Sequence, residues 1–321
     1  MAGQIPAPTA NGAKPCLLID ASIYIFQYYF SLPDNWYSEE GYPTAAVYGY
    51  TTFLLRLLEE QRPRQVAACF DESLGSCFRN GIYPDYKSSR AYPDEALAYQ
   101  LTACREVTEM LGIACFASKD YEADDLLGSL CKQLRRGKAP VAILTRDKDL
   151  GQLLQREQDY LWDYAKNERY YAGCINKKFG VLPAQLVDYL ALVGDSIDDI
   201  PGVPGLGPKT ARALLHAHAG IDEIFRRLDE LHLLPIRGAK NLRDKLIAHR
   251  DQILIAQQLA KIVDTIPLAS RSADLNWSAT RVDACTVTEF CERMGFARLR
   301  ARFAKVLGWN GTLVTGAGND I

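Results

Sequence analysis

From Pro15 to about residue 180 the chain alternates short apolar runs with longer amphipathic stretches. The apolar runs carry no charge before their last residue, which is typical of strands buried on both faces of a sheet. They predict strands at Cys16–Asp20, Val66–Asp71, 113–116 and 141–145, and the periodicity between them predicts helices at about 45–60, 94–111 and 122–136. This alternation predicts an α/β fold with a mainly parallel twisted sheet covered by helices.

Beyond residue 179 the pattern changes, because strand signals nearly vanish and helical periodicity takes over. Helices are predicted at 183–193, 209–218 and 244–263. We therefore expect an α/β domain over 15–180 and a helical region with a C-terminal packing segment over 181–310. The Gly, Pro and Ala-rich ends, 1–14 and 311–321, are expected to be flexible tails.

The composition is that of an ordinary globular protein of 321 residues, with 48% hydrophobic and 24% charged residues. It excludes disordered, collagenous and low-complexity classes. No apolar run is long enough to span a bilayer, so a cytoplasmic protein without membrane contact is expected. Nine cysteines without C-x-x-C spacing indicate reduced thiols. A net charge of −2 gives no overall attraction to nucleic acid, so any such partner must be argued from local charge.

Acidic residues recur where the predicted strands end. Asp20 and Asp71 each end a strand, and Asp147 and Asp149 closely follow another. Ligands of open α/β sheets bind outside the carboxyl ends of the strands, so these acids should face one site. Further candidates open a helix or follow one, namely Glu122, Asp124, Asp125, Asp195 and Asp198.

Each acid also has a structural explanation, since acids cap helix N-termini and form turns. Together, however, they would repel one another strongly unless protons or cations intervened. Carboxylate oxygens favour magnesium or manganese, and two acidic subclusters suggest two ions. Two such ions can clamp the attacking and leaving oxygens of a phosphodiester, so the pattern predicts a nuclease.

A basic segment with interleaved tyrosines follows Asp71. Its cations could bind phosphate and its rings could stack on bases, although such a segment can also be a solvated loop. Its position after a candidate metal ligand makes it a candidate substrate clamp. The residues are Arg79, Lys87 and Arg90, with Tyr83, Tyr86 and Tyr92.

A glycine-rich segment at 202–210 predicts a second nucleic-acid contact. Pro208 separates Gly207 from Lys209, which departs from the phosphate-binding loop of nucleotide triphosphatases. A tight turn leading into a helix with Pro208 at its first position instead indicates a helix-hairpin-helix, whose free backbone N–H groups bind a DNA phosphate. The candidate DNA-binding residues here are Gly205, Gly207, Lys209, Thr210 and Arg212.

Together these motifs resemble the 5′-nuclease family, which includes the 5′–3′ exonuclease domain of bacterial DNA polymerase I, bacteriophage 5′-exonucleases and flap endonucleases. The resemblance runs from about residue 17 to 307. The matching segments are 18–20, 46–49, 70–71, 78–79, 86–87, 121–125, 144–150, 194–198 and 202–210. Each is weak alone, but the ordered set is specific.

The resemblance implies a PIN-like or resolvase-like nuclease core, a helix-hairpin-helix (H3TH) module and a helical arch at about 73–95. It implies that Lys87 and Arg79 stabilise the scissile phosphate and that carbonyls around Val203 and Leu206 hold potassium. Tyr86 and Arg90, from the chemistry of the basic segment, are further expected DNA contacts. Two Mg²⁺ ions, replaceable by Mn²⁺, would occupy two clusters: Asp20, Asp71, Glu122, Asp124 and Asp125, and then Asp147, Asp149, Asp195 and Asp198. The family's usual Asn is replaced here by Asp199.

The resulting hypothesis is a free-standing, monomeric, structure-selective 5′–3′ exonuclease and flap endonuclease of DNA replication and repair. Its substrates would be DNA with a 5′ end or flap, and RNA–DNA primers. One alternative is a haloacid-dehalogenase-like phosphatase, whose signature Asp147-Lys148-Asp149 partly matches, although Gly151 stands where a Thr is expected. The other is a non-catalytic DNA-binding relative.

Overall fold

The computed structural model describes residues 14–73, 75–236, 238–268 and 272–309, without the side chains of 272 and 273. Apart from Lys14, the two predicted tails lie outside the described residues. The chain divides into two compact units. Unit 1 comprises Asp71–Tyr92 and Ala117–Leu268, and unit 2 comprises Lys14–Phe70, Pro93–Phe116 and the described residues beyond 268.

The strands are β1 (Cys16–Asp20), β2 (Val66–Asp71), β3 (Ala114–Ser118), β4 (Val141–Leu144), β5 (Tyr160–Asp163) and β6 (Glu168–Tyr170). The α-helices are α1 (Ala21–Ser31), α2 (Ala45–Gln61), α3 (Phe78–Ile82), α4 (Glu95–Met110), α5 (Ala123–Leu134), α6 (Ala172–Phe179), α7 (Leu186–Val193), α8 (Pro208–Ala217), α9 (Ile221–Arg226), α10 (Leu242–Ala248), α11 (Arg250–Ala260), α12 (Ala284–Arg293) and α13 (Leu299–Leu307).

Unit 2 is built on strands in the order β3-β2-β1. β1 and β2 are parallel, with Leu17 beside Val66 and Asp20 beside Cys69. Every residue of β1 is buried, as expected for a strand covered on both faces. Helices α1, α2 and α4 pack together, and α13 packs on α2. The predicted bounds of β1 and β2 are confirmed.

Unit 1 contains strands in the order β4-β5-β6, with β5 parallel to β4 and β6 antiparallel to β5. The sequence did not predict β5 and β6, because neither short strand shows a distinct apolar run with turn signals on both sides. β4 ends at Leu144, one residue before the predicted end, and β3 begins one residue late and extends to Ser118. The sheet is therefore mixed and mostly parallel, as predicted for the fold class.

Helices α7 to α11 complete unit 1, with α7 packing against both α8 and α11. The single helix predicted at 244–263 is instead two helices, because His249 leaves helical geometry at φ −109° and ψ 17°. Helix α1 was not predicted, since its sequence is apolar and aromatic almost throughout and lacks amphipathic periodicity. Among the described residues no helix has the length and apolar character needed to cross a bilayer.

Candidate active site

Four acids of unit 1 are positioned by two tight turns. After β4, the Thr145 hydroxyl accepts the Asp147 N–H at 3.0 Å and Asp147 Oδ1 accepts the Asp149 N–H at 2.8 Å. After α7, the backbones of Asp195 and Ile200 exchange hydrogen bonds at 2.9 and 2.8 Å and so close a turn that also carries Asp198. Short local hydrogen bonds thus fix the backbone beneath this acidic group.

The four carboxylates interact electrostatically. Burial, and then the charges of Asp147, Asp195 and Asp198, raise the pKa of Asp149 to about 7. Burial also raises the pKa of Asp147, and Asp198 and Asp195 add to this rise. The structure therefore brings together the acids predicted as the second cluster, and a bound cation would relieve their repulsion.

Asp71 and Glu122 form a second acidic neighbourhood. The Ser73 hydroxyl donates to Asp71 Oδ1 at 2.9 Å, while burial and then the Glu122 charge raise the pKa of Asp71. Burial would raise the pKa of Glu122 as well, but the charges of Lys87 and Arg79 outweigh it and lower that pKa. Glu122 therefore stays ionised although it is only 5% exposed.

Lys87 joins the two acidic neighbourhoods. Its ammonium donates to Glu122 Oε1 and lies 3.4 Å from Asp198 Oδ2, while its backbone N–H donates to the Asp198 carbonyl at 3.1 Å. Burial would lower the pKa of Lys87, but Glu122 and Asp198 raise it. The Tyr86 hydroxyl also donates to Glu122, at 2.8 Å. One cation is thus shared by acids of both predicted clusters.

Arg90 and Asp199 hold the basic segment against the turn that carries Asp195 and Asp198. The Arg90 guanidinium pairs with Asp198 Oδ1, and Asp199 Oδ2 accepts the Ser89 N–H at 2.9 Å. Asp199 has φ +54°, a left-handed conformation that Asp and Asn tolerate better than most residues. Asn could make the same contact, which accounts for either residue at this position.

Arg79 lies deeper than predicted for a phosphate ligand, since it is only 2% exposed. It contacts Glu122 at 2.8 Å and makes a two-pronged ion pair with Asp125, at 2.6 and 2.7 Å. Its remaining N–H groups donate to the carbonyls of Leu259 and Lys261. The structure thus encloses Arg79 and Asp125 together.

Two further predicted ligands occupy distinct local settings. Asp124 lies half-buried in the first turn of α5, where its charge helps to raise the pKa of Lys87. Asp20 belongs to unit 2, where it ends β1, is 6% exposed and stands at the N-cap position of α1. Because α1 begins directly after β1 ends, the backbone at Asp20 is fixed by both elements.

The donor set suits a hard divalent cation, because every candidate ligand in these neighbourhoods is a carboxylate. Within the described part of the chain, no three His, Cys, Asp or Glu side chains are arranged to hold an ion. Two of the candidate ligands pair with cations of the chain: Glu122 with Arg79 and Lys87, and Asp198 with Arg90. Ion binding at these two acids requires that the Lys87 ammonium and the Arg90 guanidinium give way, because each occupies a carboxylate oxygen.

A cavity of about 370 Å³ adjoins the basic segment in unit 1. Its wall carries acids, cations and aromatic rings that a nucleotide chain could contact. The residues that line the cavity include Asp71, Glu122, Lys87, Arg90, Tyr86 and Tyr92.

The predicted hairpin lies between α7 and α8. Gly205 has φ +70°, and Pro208 occupies the first turn of α8, as the sequence predicted. Gly194 and Gly202 approach so closely that a Cβ on Gly202 would lie 2.2 Å from the Val193 carbonyl oxygen. These features give the turn its sharp path.

The hairpin side chains and carbonyls differ in how they are used. Lys209 is exposed, whereas Arg212 Nε donates to the Phe179 carbonyl at 2.6 Å. Thr210 donates its N–H to the Gly207 carbonyl at 3.0 Å. Val203 and Leu206, predicted to hold potassium through their carbonyls, are buried, and the Val203 carbonyl accepts the Leu206 N–H at 2.9 Å.

Sequence reasoning missed three residues that support the site. Lys245 donates to the Pro204 carbonyl of the hairpin at 2.9 Å, and Gln252 donates to the Gly202 carbonyl at 2.7 Å. Gln152 joins the segment after Asp149 to the end of α11, through the Ala260 carbonyl and the Ile262 N–H. These contacts join residues about 40 to 110 positions apart, so no local motif could have revealed them.

The sequence matches known families over most of its length. Residues 15–180 match the N-terminal resolvase-like domain of 5′-3′ exonucleases, and residues 181–283 match their C-terminal SAM fold. A 5′-3′ exonuclease of Buchnera aphidicola is 33% identical over 268 residues, which cover 83% of this chain and 92% of that protein. DNA polymerase I of Pseudomonas aeruginosa is 36% identical over 255 residues, but this chain spans only 28% of that enzyme.

Solved structures support the fold. The bacteriophage T5 5′-exonuclease, crystallised with divalent zinc ions, aligns over 91% of this chain and 99% of its own with a TM-score of 0.61 and 18% identity. The catalytic core of Rad2 with a DNA substrate aligns over 92% of both chains with a TM-score of 0.60 and 16% identity. The domain matches and the 33% identity to the Buchnera aphidicola enzyme show that the chain belongs to the 5′–3′ exonuclease family.

Proposed function

We propose that this protein is a structure-selective 5′–3′ exonuclease and flap endonuclease that hydrolyses DNA phosphodiesters near 5′ ends and flap junctions. The observation that carries the proposal is the position of Lys87, whose single ammonium pairs with Glu122 and Asp198 from two acidic neighbourhoods. Phosphodiester hydrolysis needs such a place, where negative charge can be collected and stabilised. Family membership gives the phosphatase alternative no support.

Divalent ions would be held by the carboxylates of both neighbourhoods. The proposed ligands in unit 1 are Asp71, Glu122, Asp124, Asp147, Asp149, Asp195 and Asp198, while Asp20 of unit 2 stays a ligand predicted from the sequence. When bound, Mg²⁺ would lower the pKa of water and stabilise charge on the attacking and leaving oxygens. Mn²⁺ should substitute, because it favours the same oxygen ligands.

Three side chains of the basic segment, those of Lys87, Arg90 and Tyr86, would act on the substrate directly. Lys87, released from its carboxylate partners, can hold the negative charge that develops on the scissile phosphate. Arg90 is exposed and pairs with Asp198, so it can exchange that carboxylate for a phosphate oxygen. Tyr86 keeps its proton, because burial and then the charges of Glu122 and Asp198 raise its pKa. Its hydroxyl therefore remains a donor beside the cavity.

The hairpin would hold the downstream duplex. The turn at Gly205 and Gly207 leads into the N-terminus of α8, whose positive dipole end attracts a phosphate. Lys209 adds an exposed charge at the same end of the helix. RNA–DNA primers as substrates, potassium at Val203 and Leu206, a monomeric state and a cytoplasmic location remain predictions of the sequence.

One assay tests the function. An end-labelled 5′-flap duplex, a blunt duplex and a single strand are incubated with the protein in Mg²⁺ or in chelator. We expect cleavage near the flap junction, only with Mg²⁺, and the flap to be cut faster than the other two substrates. Metal-independent binding of all three without cleavage would instead identify a non-catalytic DNA-binding protein.

The variant Asp147→Ala, which lacks one acid of the turn after β4, tests the proposed catalytic centre in the same assay. It should abolish cleavage and leave duplex affinity, measured in chelator, within a few-fold of wild type. Normal turnover by this variant would refute the assignment of the acidic neighbourhoods as the catalytic centre.

A further inference from the structure

We propose that Arg79 and Asp125 are positioning residues, forming a buried clamp that ties the end of α11 to Glu122 and thereby sets where the DNA is cut. The role replaces the phosphate contact predicted for Arg79 and the metal contact predicted for Asp125. The effect on the cut site rests on the proposed nuclease function, whereas the existence of the clamp does not.

Arg79 has no hydrogen-bond donor left for a phosphate. A guanidinium carries five N–H groups. Nε donates to the Leu259 carbonyl at 2.8 Å, and NH1 donates to Glu122 and Asp125 at 2.8 and 2.6 Å. NH2 donates to Asp125 at 2.7 Å and to the Lys261 carbonyl at 2.9 Å. All five donors are therefore in use within the protein.

Asp125 has no acceptor position left for a metal ion. A carboxylate offers about four lone-pair sites. Oδ2 accepts from Arg79 and from the Glu122 N–H at 3.1 Å, and Oδ1 accepts from Arg79 and from the Val263 N–H at 2.8 Å. The side chain is completely buried. Asp124, its neighbour in sequence, is half-buried instead.

The clamp joins segments far apart in sequence. Arg79 lies in α3, Asp125 lies in the first turn of α5, and the carbonyls of Leu259 and Lys261 lie at the C-terminus of α11. A guanidinium is favoured there, because the last carbonyls of a helix lack partners and carry the negative end of its dipole. The Arg79 side chain thus caps α11 and contacts the Glu122 carboxylate at the same time.

Helix α11 also contacts the hairpin. Near its N-terminus Gln252 donates to the Gly202 carbonyl, and near its C-terminus Gln152 ties Ala260 to the segment after Asp149. One rigid helix therefore links the proposed duplex-binding turn to Glu122 through Arg79. The distance between the bound duplex and the cutting site should depend on this link.

The first test measures metal binding without DNA or turnover. Mn²⁺ is titrated calorimetrically into wild type, Asp125→Asn and the matched control Asp124→Asn. We expect Asp124→Asn to weaken Mn²⁺ binding tenfold or more and Asp125→Asn to change it by less than threefold. Equal weakening by the two variants would make Asp125 a ligand and overturn the proposal.

The second test uses Arg79→Lys, which keeps the charge but cannot make five hydrogen bonds, and so remains informative if Asp125→Asn does not fold. Its products on a labelled 5′-flap duplex should spread over neighbouring positions, with duplex affinity within threefold of wild type. A slower reaction at the single wild-type position overturns the positioning role, whether melting is unchanged or lowered. Failure of wild type to cleave would refute the nuclease proposal, while the Mn²⁺ titration still decides the clamp.

Discussion

Lys87 interacts with acids of both neighbourhoods. It adopts φ +54°, and this left-handed turn lets its N–H donate to the Asp198 carbonyl while its ammonium pairs with the Asp198 and Glu122 side chains. The side chain remains 14% exposed, in contrast to Arg79, which is 2% exposed. Of these two cations, Lys87 is therefore the one that a substrate phosphate can reach.

Replacing Lys87 by alanine should slow chemistry far more than binding. Loss of a donor that stabilises developing charge typically lowers kcat by about 10²–10³-fold. Single-turnover rates at saturating Mg²⁺ and DNA would measure this. Lys132→Ala is the control, since Lys132 pairs with Asp264 and is 53% exposed. An effect confined to KM would assign Lys87 to substrate positioning alone.

Asp149 should make the metal-free protein less stable as pH rises. Its pKa is about 7 in the folded chain, because of burial first and neighbouring acids second, and about 3.9 in an unfolded chain. The unfolded state therefore loses its proton first, and stability falls between about pH 4 and 7 by at most about 1.4 kcal/mol per pH unit. Chemical unfolding in chelator, compared with Asp149→Asn, measures this contribution. A difference between the two proteins that does not change with pH would contradict it.

Sequence reasoning located single acids well but could not assign their partners. Asp20, Asp71 and Asp147 stand where their strands end or just beyond, because an apolar run ended by an acid is a local signal. Arg79 was also found, but its contacts with Leu259 and Lys261 span about 180 residues. The burial of Arg79 together with Asp125 depends on tertiary packing, which no local pattern encodes.

At the scale of elements, the hairpin between α7 and α8 depends on a close approach of two backbones. Gly202 lies against the Val193 carbonyl, and Gly194 has φ +81°. The sequence predicted this turn because glycine and proline mark it directly. It did not predict β5, β6 or α1, whose residues are fixed by what covers them rather than by a pattern of their own.

Gly202→Ala should disrupt the hairpin, whereas Gly207→Ala should not. A Cβ on Gly202 would lie 2.2 Å from a backbone oxygen, while one on Gly207 would meet no atom within 4 Å. We expect a loss of about 1–3 kcal/mol of stability for the first change and of about 0.5–1 kcal/mol for the second, which puts Ala at the N-cap of α8. Thermal melting and duplex affinity in chelator test the pair. Similar behaviour of both variants would show that the approach is not critical.

The net charge of the protein is close to zero, at −2, although the proposed partner is a polyanion. Attraction must come from local cations, because a nearly neutral protein gains little from its overall field. The basic segment spends much of its charge on the protein's own acids, through Lys87 and Arg90. Lys209, exposed beside the hairpin, is therefore the cation that we propose for duplex binding.

Lys209→Ala should make duplex binding less sensitive to salt. One lost phosphate contact lowers the slope of log K against log salt concentration by about 1. Affinities measured in chelator at several salt concentrations would show this. Lys138→Ala, which removes an exposed lysine between α5 and β4, should leave the slope unchanged. Equal slopes for wild type and Lys209→Ala would remove Lys209 from the interface.

The surroundings of Glu122 bear on the choice of an inactive protein for capturing complexes with intact DNA. Its carboxylate accepts from Arg79, Lys87 and Tyr86, so an alanine there would remove one partner from each of three side chains, including the buried Arg79, and would lower stability. Asp147 accepts one neighbouring N–H, and its charge repels the charges of other acids. Its removal therefore relieves this repulsion. An inactive variant for crystallising the complex with intact DNA should therefore carry its substitution at Asp147.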